Sequence, residues 1–155
     1  MATLQSPTNI YPYQPSSAWP LWYLQQRSIY TFNTTSSSPS YIHMKTNIYG
    51  PGNDGMYMLE AVGYNYGAAA PIRCSWGLYC YNNTLYQTGV ANIYSGMNAD
   101  GIYLSSDNYV TIRAYAYTHY FNGFTINAYA TRLDTAHTNV TITAVAHASE
   151  SGNYY

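Results

Sequence analysis

The six acidic residues are the side chains of this chain best suited to catalysis. A glycosidase, for example, needs two carboxylates that converge on one cleft. Asp54, Asp100 and Asp107 lie in segments with the composition of turns, where an aspartate usually accepts hydrogen bonds from the local backbone. Loops can bring Asp100 and Asp107 together, but their pattern matches no catalytic motif. We therefore predict a protein without enzymatic activity.

Glu60 differs from the other acids because it lies inside a predicted strand, between Leu59 and Ala61. A carboxylate at such a position needs a partner or contact with water. Arg73 or Arg113 on a neighbouring strand is the simplest partner, in a structural ion pair. Solvent exposure and a functional role are the two alternatives.

Metal and cofactor motifs are missing from the sequence. The histidines lack the spacing of a zinc site: His43, His119, His137 and His147. Residues 53–55 and 98–101 have the texture of calcium loops, but neither segment continues with the further acidic ligands that calcium requires. No phosphate-binding glycine loop or nucleophile motif occurs. We predict neither a metal site nor a cofactor.

The two cysteines, Cys74 and Cys80, lie six residues apart in one predicted strand. At about 3.3 Å per residue, their Cα atoms would be ~20 Å apart. A disulfide needs a separation below about 7 Å. We therefore expect two buried thiols that pack as small apolar groups, as in a protein made in a reducing cytoplasm.

Tyrosine dominates the composition, with 21 residues in 155 against five basic and six acidic side chains. A surface of Tyr, Asn, Ser and Thr stays wettable without charge and suits contact between molecules. The net charge of −1 does not keep copies apart, so we expect a homo-oligomer. The scattered Lys and Arg argue against nucleic acid as a partner. The sequence has no long apolar run and no signal-peptide pattern, so we expect no membrane insertion.

Residues 1–40 have a different texture from the rest of the chain. Five of the seven prolines lie there, at a density that excludes a helix. The aromatic residues Trp19, Trp22 and Tyr23 make this segment too apolar for a free tail. We predict an extended arm with one strand near residues 27–33. It packs on its own domain, a neighbouring copy or a larger assembly, and the three aromatic residues are the candidate anchor.

From residue 41 onward, apolar residues recur with a period of two, which predicts strands with one buried and one exposed face. Turn residues separate eight such strands. Their predicted positions are 42–48, 56–66, 72–81, 85–94, 102–104, 109–117, 123–131 and 140–148. No helical pattern competes, so residues 41–155 are predicted to form an all-β, antiparallel, jelly-roll-like sandwich.

Tyrosines line one face of the strands predicted at 72–81 and 109–117, opposite small aliphatic residues. These rings pack across neighbouring strands, bury a sheet face in a subunit interface, or form a sugar-stacking surface. Polar loop residues add hydrogen-bonding groups for a sugar. The candidate binding residues are Asn53, Asp54, Asn82, Asn83, Asn98 and Asp100.

Five segments together resemble a known family. They read YIHMKTNI at 41–48, EAVGYNYG at 60–67, SSDNY at 105–109, GFTINAY at 123–129 and SGNYY at 151–155. They resemble the C-terminal domains of tailed-bacteriophage virion proteins, especially tail-fibre-like proteins of phages that infect cyanobacteria and other aquatic bacteria. The resemblance covers residues 41–155. It implies a homotrimeric structural protein on the exterior of the particle, made in the host cytoplasm, without catalysis or cofactor.

Three functions are compatible with the sequence and this resemblance. The first is a fibre-type protein that is attached to the tail or head through residues 1–40 and contacts glycans of the host surface. The second is a decoration protein that stabilises the capsid. The third, a small glycan-processing enzyme, lacks the carboxylate pair that it needs.

Overall fold

The computed structural model describes residues 24–34, 40–51, 55–82, 84–116, 120–132, 139–148 and 152–155. Within these ranges the chain forms nine strands and no helix. The strands are β1 (Leu24–Thr34), β2 (Ser40–Tyr49), β3 (Met56–Asn65), β4 (Ala70–Tyr81), β5 (Thr84–Ser95), β6 (Asn98–Leu104), β7 (Tyr109–Ala116), β8 (Asn122–Arg132) and β9 (Ile142–Ala148). The eight strands predicted after residue 40 correspond to β2 through β9, within a few residues of their expected bounds.

The strands pair in two antiparallel sheets. One sheet has five strands in the order β1-β8-β3-β4-β5, and the other has four in the order β6-β7-β2-β9. β1 pairs with β8, and β2 pairs with β7. Both pairs join strands that are distant in sequence, and in sequence order the second pair lies inside the first, as in a jelly roll. In contrast, β3, β4 and β5 form a consecutive meander. The predicted all-β sandwich is confirmed.

The core lies between the two sheets and is built from the inward side chains of alternating strand positions. Five inward side chains of β4 are buried: Ile72, Cys74, Trp76, Leu78 and Cys80. Successive side chains of a strand point to opposite faces, so the period-two pattern of the sequence predicts this buried face correctly. Small residues of β7, among them Ala114 and Ala116, face the core from the other sheet.

The strand predicted near residues 27–33 is present as β1, which pairs with β8 at one edge of the five-stranded sheet. Phe32 of β1 is buried and stacks on Phe124 of β8 with ring centroids 4.9 Å apart. Residues 24–34 therefore belong to the sandwich, so the boundary predicted at residue 40 moves toward the N-terminus. The candidate anchor residues Trp19, Trp22 and Tyr23 lie outside the described residues.

Candidate functional site

Glu60 forms the structural ion pair that its position in a strand predicts. Arg73 Nε of β4 lies 2.9 Å from Glu60 Oε1, and the Tyr129 hydroxyl donates to Glu60 Oε2 at 3.2 Å. The hydrogen bond to Glu60 raises the pKa of Arg73. Desolvation and the same carboxylate raise the pKa of Tyr129. Glu60 is thus a structural charge on the outer face of the five-stranded sheet.

Asp100 and Asp107 are each paired with a different base. Arg113 Nε lies 2.5 Å from Asp100 Oδ2, and Lys45 Nζ lies 2.6 Å from Asp107 Oδ2. The hydrogen bond from Lys45 lowers the pKa of Asp107. Every described aspartate or glutamate side chain is therefore held by a basic partner.

The strand predicted at 102–104 begins earlier than expected, because Asn98 and Asp100 lie in β6 and not in a turn before it. Asn98 is the register partner of Tyr115 on β7. The Asn92 side chain bonds to the backbone of β6 in the way that a neighbouring strand would. Its Oδ1 accepts a hydrogen bond from Ala99 N at 2.6 Å, and its Nδ2 donates one to Ala99 O at 3.1 Å. These two hydrogen bonds hold the first residues of β6 in a strand, although their Asn and Gly content is typical of a loop.

The three candidate binding residues that the structure describes lie in two separate places. Asn82 lies in the turn between β4 and β5, whereas Asn98 and Asp100 flank Ala99 of β6, which is bonded to Asn92 of β5. Ten residues of extended chain separate Asn82 from Asn92, which is roughly 30 Å at about 3.3 Å per residue. Three candidates fall outside the described residues: Asn53, Asp54 and Asn83.

An aromatic cluster lies near Asn82 on the outer face of the five-stranded sheet. Tyr79 and Tyr81 of β4 stack with ring centroids 5.7 Å apart. Tyr86 of β5 meets each of these rings edge-on at 6.0 Å. Tyr81 and Tyr86 are both exposed, so the cluster presents ring faces to an incoming ligand.

Next to this cluster an open groove of about 670 Å³ runs along β4 and β5. Its floor is backbone, because Gly77 of β4 and Gly89 of β5 are register partners. A Cβ built on Gly89 would meet no atom within 4 Å, and one on Gly77 would meet only the Gly89 carbonyl at 3.9 Å. Tyr79 and Tyr86 border the groove and supply its aromatic walls.

The groove combines apolar surface with neutral hydrogen-bonding groups. Gln87 contributes an amide, beside Met56 and the two tyrosines. Thr88 is the register partner of the buried Leu78, so its side chain points to the other face of the sheet. None of the described residues that line the groove carries a charge. Aromatic rings with a few polar groups are typical of sites that bind small neutral ligands, and tyrosine provides such contact at a low entropic cost.

The four-stranded sheet uses its tyrosines differently. Tyr41 and Tyr115 are register partners on β2 and β7, with ring centroids 4.8 Å apart. His43 is fully buried on the same outward face, where its Nδ1 lies 2.9 Å from the Tyr103 hydroxyl and its ring 5.7 Å from that of Tyr154. The C-terminal residues thus cover this face, and its rings pack within the chain.

Sequence reasoning missed the groove, although it placed Tyr79 and Tyr81 on an exposed strand face. The binding candidates came from loops, whereas the groove lies within two strands. The available signal was Gly77 and Gly89, since glycine inside a strand often marks the close approach of a ligand or another backbone. Their alignment across β4 and β5 could not be predicted without the register.

The cysteines are two buried free thiols, as predicted. Burial raises the pKa of Cys74 to about 12 and that of Cys80 to about 11. In the described part of the chain, no three His, Cys, Asp or Glu side chains are grouped as metal ligands. The same residues include no helix long and apolar enough to cross a membrane.

Comparison of the chain with protein-family models, curated proteins and solved structures found no match.

Proposed function

We propose that this chain is a fibre-type structural protein on the exterior of a bacteriophage particle and that it acts by contact. The groove over Gly77 and Gly89, bordered by Tyr79 and Tyr86, is the observation that carries this proposal. It is an uncharged aromatic surface on a rigid sheet, which suits recognition. The resemblance of residues 41–155 to phage virion proteins supports the location.

The ligand of the groove is a neutral glycan of the host surface. A pyranose ring has an apolar face of C–H groups, which stacks on an exposed tyrosine such as Tyr86. Its hydroxyl groups can exchange hydrogen bonds with the Gln87 amide. The backbone floor at Gly77 and Gly89 lets a flat ring approach the sheet closely.

The state of the three acidic side chains that the structure describes supports contact over catalysis. Glu60, Asp100 and Asp107 are each in an ion pair. A general acid must hold a proton near neutral pH, which requires a raised pKa. The hydrogen bond from Lys45 instead lowers the pKa of Asp107. In the proposed function, the segment that precedes β1 attaches the protein to the particle through Trp19, Trp22 and Tyr23.

Locating the chain on purified particles tests the proposed function. The particles are analysed by mass spectrometry and imaged with an antibody fragment raised against the purified chain. Particles from a gene deletion serve as the control. We expect the label on fibres at the exterior of intact particles. A regular array of label on the head would instead indicate a decoration protein, and the absence of the chain from purified particles would contradict both roles.

A further inference from the structure

We propose that two copies of this chain associate through β5, by antiparallel pairing that joins their five-stranded sheets. β5 is the edge strand of its sheet. Eleven of its 12 residues are exposed, on both faces of the strand. Its neighbour β4 has the same length and buries alternate residues. An edge strand that is open on both faces offers a partner its unpaired backbone N–H and C=O groups together with the side chains of both faces.

β5 is exposed because the four-stranded sheet covers it only at one end. That end is fixed by the hydrogen bonds between the Asn92 side chain and Ala99 of β6. Farther along the strand, Val90 is the register partner of the fully buried Trp76, yet 45% of Val90 is exposed. Thr88, the partner of the buried Leu78, is exposed as well.

The opposite edge of the five-stranded sheet, at β1, is joined to the other sheet by side-chain contacts, unlike the edge at β5. There the Phe32 ring of β1 stacks on His147 of β9 with centroids 5.2 Å apart. Gln26 of β1 also accepts a hydrogen bond from Val140 N at 2.6 Å. These contacts join the edges of the two sheets, so among the strands that the structure describes the long edge without such contacts to the other sheet is β5.

The sequence of β5 lacks the usual protection of an edge strand. Proteins often protect such edges with lysine, with other charges or with proline. Residues 84–95 contain no charged residue and no proline. The ladder with β4 shifts register near Tyr86 and near Ile93, which leaves a regular stretch at 87–92. Gly89 and Val90 are the two central residues of this stretch.

A second copy of the chain is the partner that fits this edge. In antiparallel pairing about a two-fold axis, the residue on the axis faces its own copy, so an axis at Val90 pairs residues 88–92 of one chain with residues 92–88 of the other, all within the regular stretch. Equal uncharged strands do not repel each other when they lie side by side. Because each copy offers one such edge, the contact is isologous and closes at two subunits. This result differs from the trimer that the phage resemblance implies.

Pairing through β5 has a consequence for the groove. A two-fold axis that makes adjacent strands antiparallel in one sheet is perpendicular to that sheet. The outer faces of both copies therefore lie on the same side, and the two grooves over Gly77 and Gly89 share one surface. The use of this surface for glycans rests on the proposed function, whereas the pairing itself does not.

Sedimentation analysis of Val90→Lys tests the pairing. The wild-type protein at micromolar concentration should have twice the 17.4 kDa mass of one chain. Val90→Lys places two like charges near the two-fold axis and should sediment as a single chain. Val62→Lys is the matched control, because Val62 lies on β3 of the same sheet, away from its edge, and is 43% exposed. It should remain dimeric.

Gly89→Lys and hydrogen exchange make the test independent of how well Val90→Lys folds. A side chain at Gly89 meets no atom of its own chain within 4 Å, so this variant should fold and be monomeric. In both monomeric variants, the backbone amides of β5 should exchange faster than in the wild type. A wild-type monomer or trimer, a dimer that survives both substitutions, or equal loss of the dimer in Val62→Lys would overturn the pairing. Glycan binding by a monomer would leave the proposed function intact.

Discussion

Trp76 of β4 donates its indole N–H to the backbone carbonyl of Arg113 on β7, at 2.8 Å. The bond crosses the core, because β4 and β7 belong to different sheets. Trp76 is fully buried, and a buried indole N–H without a partner costs stability. This one side chain therefore links the two sheets and supports the inner face of the sheet whose outer face carries the groove.

Replacing Trp76 with phenylalanine should destabilise the protein by about 2–4 kcal/mol, because the substitution removes this bond and leaves a cavity in the core. Urea denaturation measures the change. Tyr66→Phe is the control, since Tyr66 is exposed and should change stability by no more than about 0.5 kcal/mol. Equal stability of the two variants would show that the bond between the sheets contributes little.

The C-terminal residues should stabilise the four-stranded sheet through Tyr103. Its hydroxyl contacts His43 Nδ1 and accepts a hydrogen bond from Tyr154 N at 3.1 Å. Tyr103→Phe should therefore lower the free energy of unfolding by about 1–3 kcal/mol. Thermal unfolding measures this loss, with the exposed Tyr64→Phe as the control. A melting temperature equal to that of Tyr64→Phe would contradict this role of the hydroxyl.

The two native thiols should not react with a thiol reagent while the protein is folded. Burial raises the pKa of Cys74 to about 12 and that of Cys80 to about 11, so both remain protonated at neutral pH. Ellman's reagent should detect both thiols only after denaturation. A single cysteine introduced at the exposed Val62 should react at once in the folded protein. Rapid reaction of the native protein would mean that the core opens easily.

His147 should make the protein less stable in mild acid. The His147 side chain is exposed, but its contact with the Phe32 ring removes part of its hydration and lowers its pKa from 6.5, so the unfolded chain binds its proton first as the pH falls. The contribution of His147 is present above pH 6.5 and is lost as the pH falls toward the lower folded pKa. His147→Gln should lose less stability than the wild type between about pH 7 and about pH 5. Equal losses in urea denaturation would exclude this role.

The sequence predicted the strands more successfully than the site, for physical reasons. Burial alternates along a strand, so the apolar pattern around Trp76 contains the information about its buried face. The start of β6 could not be predicted, because a tertiary contact from Asn92 to Ala99 overrides a composition typical of loops. The groove depends on the register that aligns Gly77 with Gly89, which no local pattern specifies.

Adsorption of phage particles to host cells tests most directly the claim that this chain contacts the host through the groove. Particles that carry Tyr86→Ala are compared with particles that carry Tyr66→Ala, since the two side chains are 59% and 63% exposed and only Tyr86 borders the groove. Mass spectrometry confirms that both kinds of particle contain the chain in equal amount. We predict that Tyr86→Ala lowers the adsorption rate at least about tenfold, which corresponds to about 1.4 kcal/mol. Tyr66→Ala should adsorb like the wild type, and equal adsorption of the two variants would contradict the claim.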